Sequence, residues 1–377
     1  MVTDQQASCK PPIFVVGVPR SGTTLLSAML ASHSRLSCGP ETSFFAVLAK
    51  HSSSEILRAD AWPQRAVDFL FSIRLGGEPV PERFGLDRQR LATYLAPRPR
   101  TVPSVLEALT DQFRIEQDKD RWIEKSPIHL LHAPTLRRHY PAARIVRIVR
   151  DARDVALSLL EVPWGPDSFE SALLYWRRFD SASAPFFETS GSDTCSVRYE
   201  DLVRDPETQL RAICEYLDET FEPSMLDYAN RSDSLRKSNE TWKGKVGKGL
   251  DSSRIEVWRR SLSPERQRSA VALTGDRLGR HGYPLVNDDD RADTFLCLQP
   301  MTEEIAGFEP ILRELLQSGG RCWRRRRFEI PAVVALLGRP EENGWLGRGT
   351  AERLRRTLSL LVTLLATRLA GRRILWQ

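Results

Sequence analysis

The stretch that decides the fold is Ile13-Phe14-Val15-Val16-Gly17-Val18-Pro19-Arg20-Ser21-Gly22-Thr23-Thr24-Leu25. Its first four residues form a short apolar, β-branched run that reads as a strand buried on both faces. A loop with two glycines follows, and Leu25, Leu26, Met29 and Leu30 then recur on one face of a helix. Backbone N–H groups at such a helix start have no intrahelical partner and sit at the positive end of the helix dipole. The loop therefore suits a phosphate-like anion. Gly22 lets the backbone approach closely, and Ser21, Thr23 and Thr24 add hydroxyl donors.

Gly17, Gly22 and Thr24 match the spacing of the nucleoside-triphosphate loop G-x-x-x-x-G-K-[ST], but Thr23 stands where that loop has its lysine. The cation comes earlier, as Arg20, and no magnesium-binding acid at a strand end accompanies it. The loop is built for an anion, not for a magnesium triphosphate. A P-loop kinase or nucleotidase is the competing enzyme reading. A strand-turn-helix that holds no ligand is the purely structural one.

Outward from this loop, Ile145 to Val149 and Cys195 to Tyr199 read as two further buried strands. Val155, Leu159 and Leu160 mark a helix after the first of them. Asp205-Pro206-Glu207 opens another, with Leu210, Ile213 and Leu217 on its inner face. Strands alternating with helices predict an α/β fold: a P-loop-like parallel sheet, covered by helices on both faces and joined by right-handed crossovers. Residues 46–120 read as helices and loops over the sheet. The acidic run Asp288-Asp289-Asp290 reads as a boundary. It separates a domain over residues 1–287 from a helical, Arg-rich extension over 288–377.

The 377 residues, 41% hydrophobic and 28% charged, suffice for one large domain and an appendage. The net charge of +6 is unevenly placed, because residues 321–377 hold thirteen Arg, no Lys and four Glu, leaving the first 320 residues at −3. A nucleic-acid enzyme with a basic face is not indicated. The tail instead offers Arg321 to Arg327 and an apolar helix, Leu354 to Leu369, flanked by arginines. Peripheral membrane contact and a helical cap on the catalytic domain are its two readings. The six cysteines are scattered without a CxxC pair and read as thiols of a reducing compartment. Neither a signal peptide nor an apolar run of about 18 residues is seen, so a cytoplasmic location is expected.

Val18-Pro19-Arg20-Ser21-Gly22-Thr23-Thr24-Leu25 resembles the 5′-phosphosulfate loop of sulfotransferases that use 3′-phosphoadenosine 5′-phosphosulfate (PAPS). The longer run from Gly17 to Thr42, GVPRSGTTLLSAMLASHSRLSCGPET, resembles the protein-tyrosine sulfotransferases in particular. Motifs of this kind extend to about Trp258 and leave out the tail. The resemblance implies a sulfotransferase fold, with PAPS as co-substrate and a hydroxyl acceptor on a peptide tyrosine, sugar, lipid or small-molecule alcohol. Arg150-Asp151-Ala152-Arg153-Asp154-Val155-Ala156-Leu157-Ser158 is similar to the family's 3′-phosphate motif, which implies that Arg150 and Ser158 bind that phosphate. The family's further Arg, four residues on, is Val162 here. Arg153 reads instead as a salt-bridged helix start.

Val197-Arg198-Tyr199-Glu200-Asp201-Leu202 is similar to V-x-Y-E-D-L, which implies Tyr199 near the nucleotide, with Glu200 and Asp201 fixing a turn. In the segment Ser238 to Gly249, lysines and glycines surround Trp242 and suggest a cover over an anionic ligand. Ser238 and Arg254 are the implied counterparts of a binding Ser and Lys. The same interval that separates arginine and catalytic glutamate in the tyrosine-protein enzymes, twenty-one residues, leads from Arg20 to Glu41. Glu41 is thereby the implied general base, or else the cap of a helix from Ser43 to Lys50. Lys125 resembles the lysine near the transferring sulfate. With Arg20 it would stabilise the sulfuryl and bridging oxygens, and Glu124 reads as its salt-bridge partner. The family's E-E-T-R becomes Pro40-Glu41-Thr42-Ser43, which loses the Arg that contacts acidic tyrosine peptides. Arg35 is a candidate substitute. Sulfuryl transfer needs alignment, a base and cations, and no metal is expected. His129-x-x-His132 reads as a partly exposed helical pair without a carboxylate at ligand spacing. A non-catalytic nucleotide-binding scaffold is the remaining alternative.

Overall fold

The computed structural model describes residues 10–228 and 251–285. Seven strands occur among them: β1 (Ile13–Gly17), β2 (Leu36–Cys38), β3 (Arg74–Leu75), β4 (Glu78–Pro79), β5 (Arg121–Lys125), β6 (Arg144–Val149) and β7 (Thr194–Arg198). Five make one sheet in the order β2-β5-β1-β6-β7, parallel throughout. The remaining two form an antiparallel ribbon. The three strands read from sequence are present, with Tyr199 starting a helix rather than ending β7. The sheet gains β2 and β5, which the apolar pattern did not reveal.

Alternation along β1 explains why it lies at the centre. Phe14 and Val16 pack into one apolar core, and Ile13 and Val15 into the other. Helix α1 (Thr23–Ala31) contributes Leu25, Leu26, Met29 and Leu30 to the second core. The helix Ala152–Leu159 contributes Val155, Ala156 and Leu159 to the first. Both faces of the sheet are thus covered, as the continuous apolar strands require. The connection after β1 leads to β2 on one side, and that after β6 leads to β7 on the other. The crevice between the carboxyl ends of β1 and β6 is therefore the topological switch point, where ligands bind in open α/β sheets. No helix of the described residues is long and apolar enough to cross a membrane.

Candidate functional site

At the end of β1 the chain turns sharply, with Ser21 N–H donating to Val18 carbonyl at 3.0 Å. Arg20 and Gly22 adopt positive φ values of 73° and 100°. Gly22 caps α1 without a side-chain bond to its first turn. The reason for a glycine is steric as well as torsional, since a Cβ there would meet Tyr199 Cδ2 at 2.5 Å. Ser21 is fully buried, and its Oγ has no hydrogen-bond partner. Thr23 is buried with its methyl toward Gly17, while Thr24 is half-buried.

Arg150, at the carboxyl end of β6, joins this loop to the rest of the site. Its Nη1 donates to the Arg20 carbonyl at 3.1 Å and its Nη2 to the Arg254 carbonyl at 2.7 Å. Its guanidinium lies 4.3 Å from the centre of the Tyr199 ring, and its buried Nε is unpartnered. Arg20 Nε in turn donates to Ser158 Oγ at 3.2 Å, so the helix Ala152–Leu159 does bring Ser158 to the loop. Burial, and after it the Arg150 charge, holds Arg20 below its ordinary range against the opposing pull of Glu161. Arg254 stands 3.6 Å from both Glu161 and Asp251. Arg20, Ser21, Gly22, Thr23, Thr24, Arg150, Ser158, Tyr199 and Arg254 are thus gathered at one crevice. Ser238 lies outside the described residues, as do the arginine-rich tail and the helix expected there.

The neighbouring residues of the second motif are structural. Arg153 makes a two-pronged pair with Asp151, at 2.9 and 2.6 Å, and stacks 3.5 Å from the Trp258 ring. Asp154 accepts the Trp258 N–H at 2.9 Å. Glu200 accepts from the Asp151 N–H at 3.1 Å and the Tyr283 hydroxyl at 2.8 Å, which ties the ends of β6 and β7 together. Glu161, which no motif pointed to, is an acid at the mouth of a cluster of arginines.

Beyond β1, Lys125 ends β5 with 1% exposure and donates from Nζ to Glu41 Oε1 at 2.6 Å. Glu41 is within electrostatic reach of Arg20. It does not cap the following helix, α2 (Phe44–Leu48), whose cap position is Ser43. Glu124 is not a partner of Lys125 on the surface. It is buried and accepts from the Thr42 and Ser126 hydroxyls at 2.7 and 2.6 Å and pairs with His129 Nδ1 at 2.8 Å. His129 is therefore a buried residue held by a carboxylate five positions earlier, not a partly exposed one, because the strand end folds Glu124 onto the following turn. Arg35 does not compensate for the missing arginine. It precedes β2, at the amino end of the strand whose carboxyl end leads to Glu41, and pairs with Asp120 and Glu219 at 3.1 and 3.2 Å.

Comparison with known proteins bears on this crevice. The model of a family described as "Sulfotransferase family" matches residues 11–223. Protein-tyrosine sulfotransferase A of Caenorhabditis elegans is 25% identical over 224 residues, 58% of this chain and 52% of that protein. Protein-tyrosine sulfotransferase 1 of Danio rerio is 24% identical over 293 residues, 72% of each chain. The chain thus spans about half the length of the nematode relative. Among solved structures, the sulfotransferase domain from the curacin biosynthetic pathway superposes with a TM-score of 0.53 at 21% identity, over 74% of this chain and 99% of that domain. That likeness is one of fold.

Proposed function

The chain belongs to the sulfotransferase family, and from that premise we propose that it transfers a sulfuryl group from PAPS to a hydroxyl acceptor. The observation that carries the proposal is a pair of buried, unpartnered polar atoms, Ser21 Oγ and Arg150 Nε, at the switch-point crevice beside an uncapped helix start. Buried polar atoms without partners are costly, and two of them beside one anion-suited loop fit a phosphate-bearing ligand. Arg20, Ser21, Gly22, Thr23 and Thr24 would hold the 5′-phosphosulfate, Arg150 and Ser158 the 3′-phosphate, and Tyr199 the nucleoside. Ser238 and Arg254 would close over it. Thr23, with its methyl turned to Gly17, favours this reading over a magnesium-triphosphate enzyme.

Bound there, the donor would supply an activated sulfuryl group. The chain's own part is acid–base and electrostatic. Glu41 takes the acceptor's hydroxyl proton on a carboxylate oxygen, and Lys125 and Arg20 face the negative charge that develops on transfer. Ser43, in place of an arginine, argues against acidic peptides as preferred acceptors. A cytoplasmic location, a domain boundary near residue 287 and membrane contact through the tail belong to the same proposal.

The test is incubation of the full chain with labelled PAPS and a panel of hydroxyl acceptors, together with calorimetry using the product adenosine 3′,5′-bisphosphate (PAP). Glu41→Ala should abolish transfer and spare PAP binding. A wild type that shows no turnover and no PAP affinity would refute the reading. Affinity without turnover on any acceptor would favour a scaffold.

A further inference from the structure

Behind the Glu41–Lys125 pair lies a buried polar cluster that the chemistry above does not use. Thr42, Glu124, Ser126 and His129 are each at most 1% exposed. Glu124 Oε1 accepts from Thr42 Oγ1 and Ser126 Oγ, and Oε2 faces His129 Nδ1. Each of these groups then reaches the chain that follows Glu41. The Thr42 and Ser43 N–H groups donate to Ser126 Oγ at 3.0 and 2.9 Å. The Phe44 N–H donates to Thr42 Oγ1 at 3.2 Å and the Phe45 N–H to His129 Nε2 at 3.1 Å. A ring nitrogen that accepts from an amide carries its lone pair outward, so the imidazole proton is on Nδ1, pointing at Glu124.

We propose that Glu124, acting with His129, is the positioning residue for the base Glu41. The inference deepens the sulfotransferase reading and rests on it. Adjacent residues of β5 point to opposite faces, so one strand end serves two tasks. Lys125 takes the Glu41 carboxylate, and Glu124 takes the loop that carries it. Ser43 sits at φ 49°, a backbone state that a non-glycine residue keeps only when its surroundings over-determine it. Four consecutive amides, from Thr42 to Phe45, supply that constraint. Burial pushes the Glu124 carboxyl up, but the His129 ring and the Ser126 and Thr42 hydroxyls overcome it and hold Glu124 below its ordinary range.

The cluster has no isosteric substitute. In Glu124→Gln an amide NH2 facing His129 meets the Nδ1 proton, and moving that proton to Nε2 makes it meet the Phe45 N–H. Turning the amide over restores the His129 bond but leaves the Thr42 and Ser126 hydroxyls without an acceptor. Either way the loop loses a tether.

The test uses the full chain and Glu124→Gln, with Thr42→Val as a second variant that cuts the same link without touching a buried charge. Three quantities are read. These are PAP affinity by calorimetry, amide hydrogen exchange at residues 42–45 against residues 20–25, and transfer from PAPS to two phenols. One phenol is 4-nitrophenol, half-ionised near neutral pH. The other is tyrosine methyl ester, whose hydroxyl ionises near about 10. A displaced base harms the acceptor that must lose its proton and spares the one that arrives ionised. PAP affinity should stay within about twofold, while kcat on tyrosine methyl ester falls about a hundredfold, as a misplacement of about 1 Å produces. The fall on 4-nitrophenol should be only several-fold, and exchange should quicken at 42–45 alone. Equal falls on both phenols, an unaltered rate on tyrosine methyl ester, or unaltered exchange at 42–45 would each overturn the role. Where the wild type binds PAP but uses neither phenol, exchange decides by itself. A wild type that binds no PAP overturns the sulfotransferase reading instead.

Discussion

Replacing Gly22 by alanine tests the geometry at its tightest point. At φ 100° an L-residue is strained whatever the space around it, by about 1–2 kcal/mol. The added Cβ would also lie 2.5 Å from Tyr199 Cδ2 and 3.0 Å from Cε2, against an ordinary carbon contact of about 3.5–4.0 Å. The ring must retreat by about 1 Å, which such overpacking makes costly by about 1–3 kcal/mol. Tyr199 is buried at 8% exposure and backs Arg150, which itself holds the Arg20 and Arg254 carbonyls, so the retreat disturbs both sides of the crevice. Subtracting about 0.4–1 kcal/mol for the stiffer unfolded chain, Gly22→Ala should lose about 1–5 kcal/mol. Urea unfolding measures this, and PAP calorimetry should show at least a tenfold weaker affinity by order of magnitude, about 1.4 kcal/mol. Gly77→Ala is the control. Its φ is 83°, but a Cβ there meets nothing within 4 Å, so only the torsional part applies and PAP affinity should not change. Equal losses in the two variants, or a Gly22→Ala that binds PAP normally, would refute the argument.

Two further predictions separate stability from binding and follow charge with pH. Ser21→Ala removes a buried hydroxyl that has no partner in the free protein, so it should leave stability unchanged or raise it by about 1 kcal/mol while weakening PAP binding several-fold. A parallel loss of both in urea and calorimetry would mean that Ser21 is structural. Burial raises Asp154 to about 6, with Arg150 opposing. Between its ordinary value of 3.8 and about 6 the folded carboxyl holds more protons than the unfolded one, so stability falls as pH rises through that window. Asp154→Asn keeps the acceptor for Trp258 N–H. It should stabilise by up to about 3 kcal/mol at pH 7, an upper bound, with the gain shrinking toward pH 4. Urea midpoints at the two pH values check it, and a gain independent of pH would disprove the assignment.

The strand-loop-helix at Ile13 to Ala31 could be read without a structure because its determinants are local. An apolar β-branched run, glycines in a turn and a one-face helical repeat each act over a few residues. For the same reason β1, β6 and β7 were legible, together with Arg20 and Arg150 as the ends of two of them. Strand β5 was not. Arg121-Trp122-Ile123-Glu124-Lys125 reads as polar, yet all five residues are buried in the sheet beside β1. Its charges are accommodated by partners outside the strand: Arg121 donates to the Pro11 and Leu217 carbonyls and pairs with Glu219, Lys125 pairs with Glu41, and Glu124 holds His129 on the turn that follows. Hydrophobic pattern cannot register a buried charge whose partner is a hundred residues away.

The amino-acid order alone therefore determined the anion loop, the parallel α/β plan and the residue types gathered round the crevice, since backbone propensity and apolar periodicity are written in near neighbours. Only the tertiary structure decided which partner each charged side chain meets and which buried nitrogen is left without one. It put Arg153 on Asp151, left the buried Arg150 Nε without a partner, held Arg35 at the amino end of β2 and buried His129 against Glu124. The physical reason is that side chains of one charge and length are interchangeable in sequence. They differ in the desolvation they suffer and in the partners they meet, and the packed sheet fixes both.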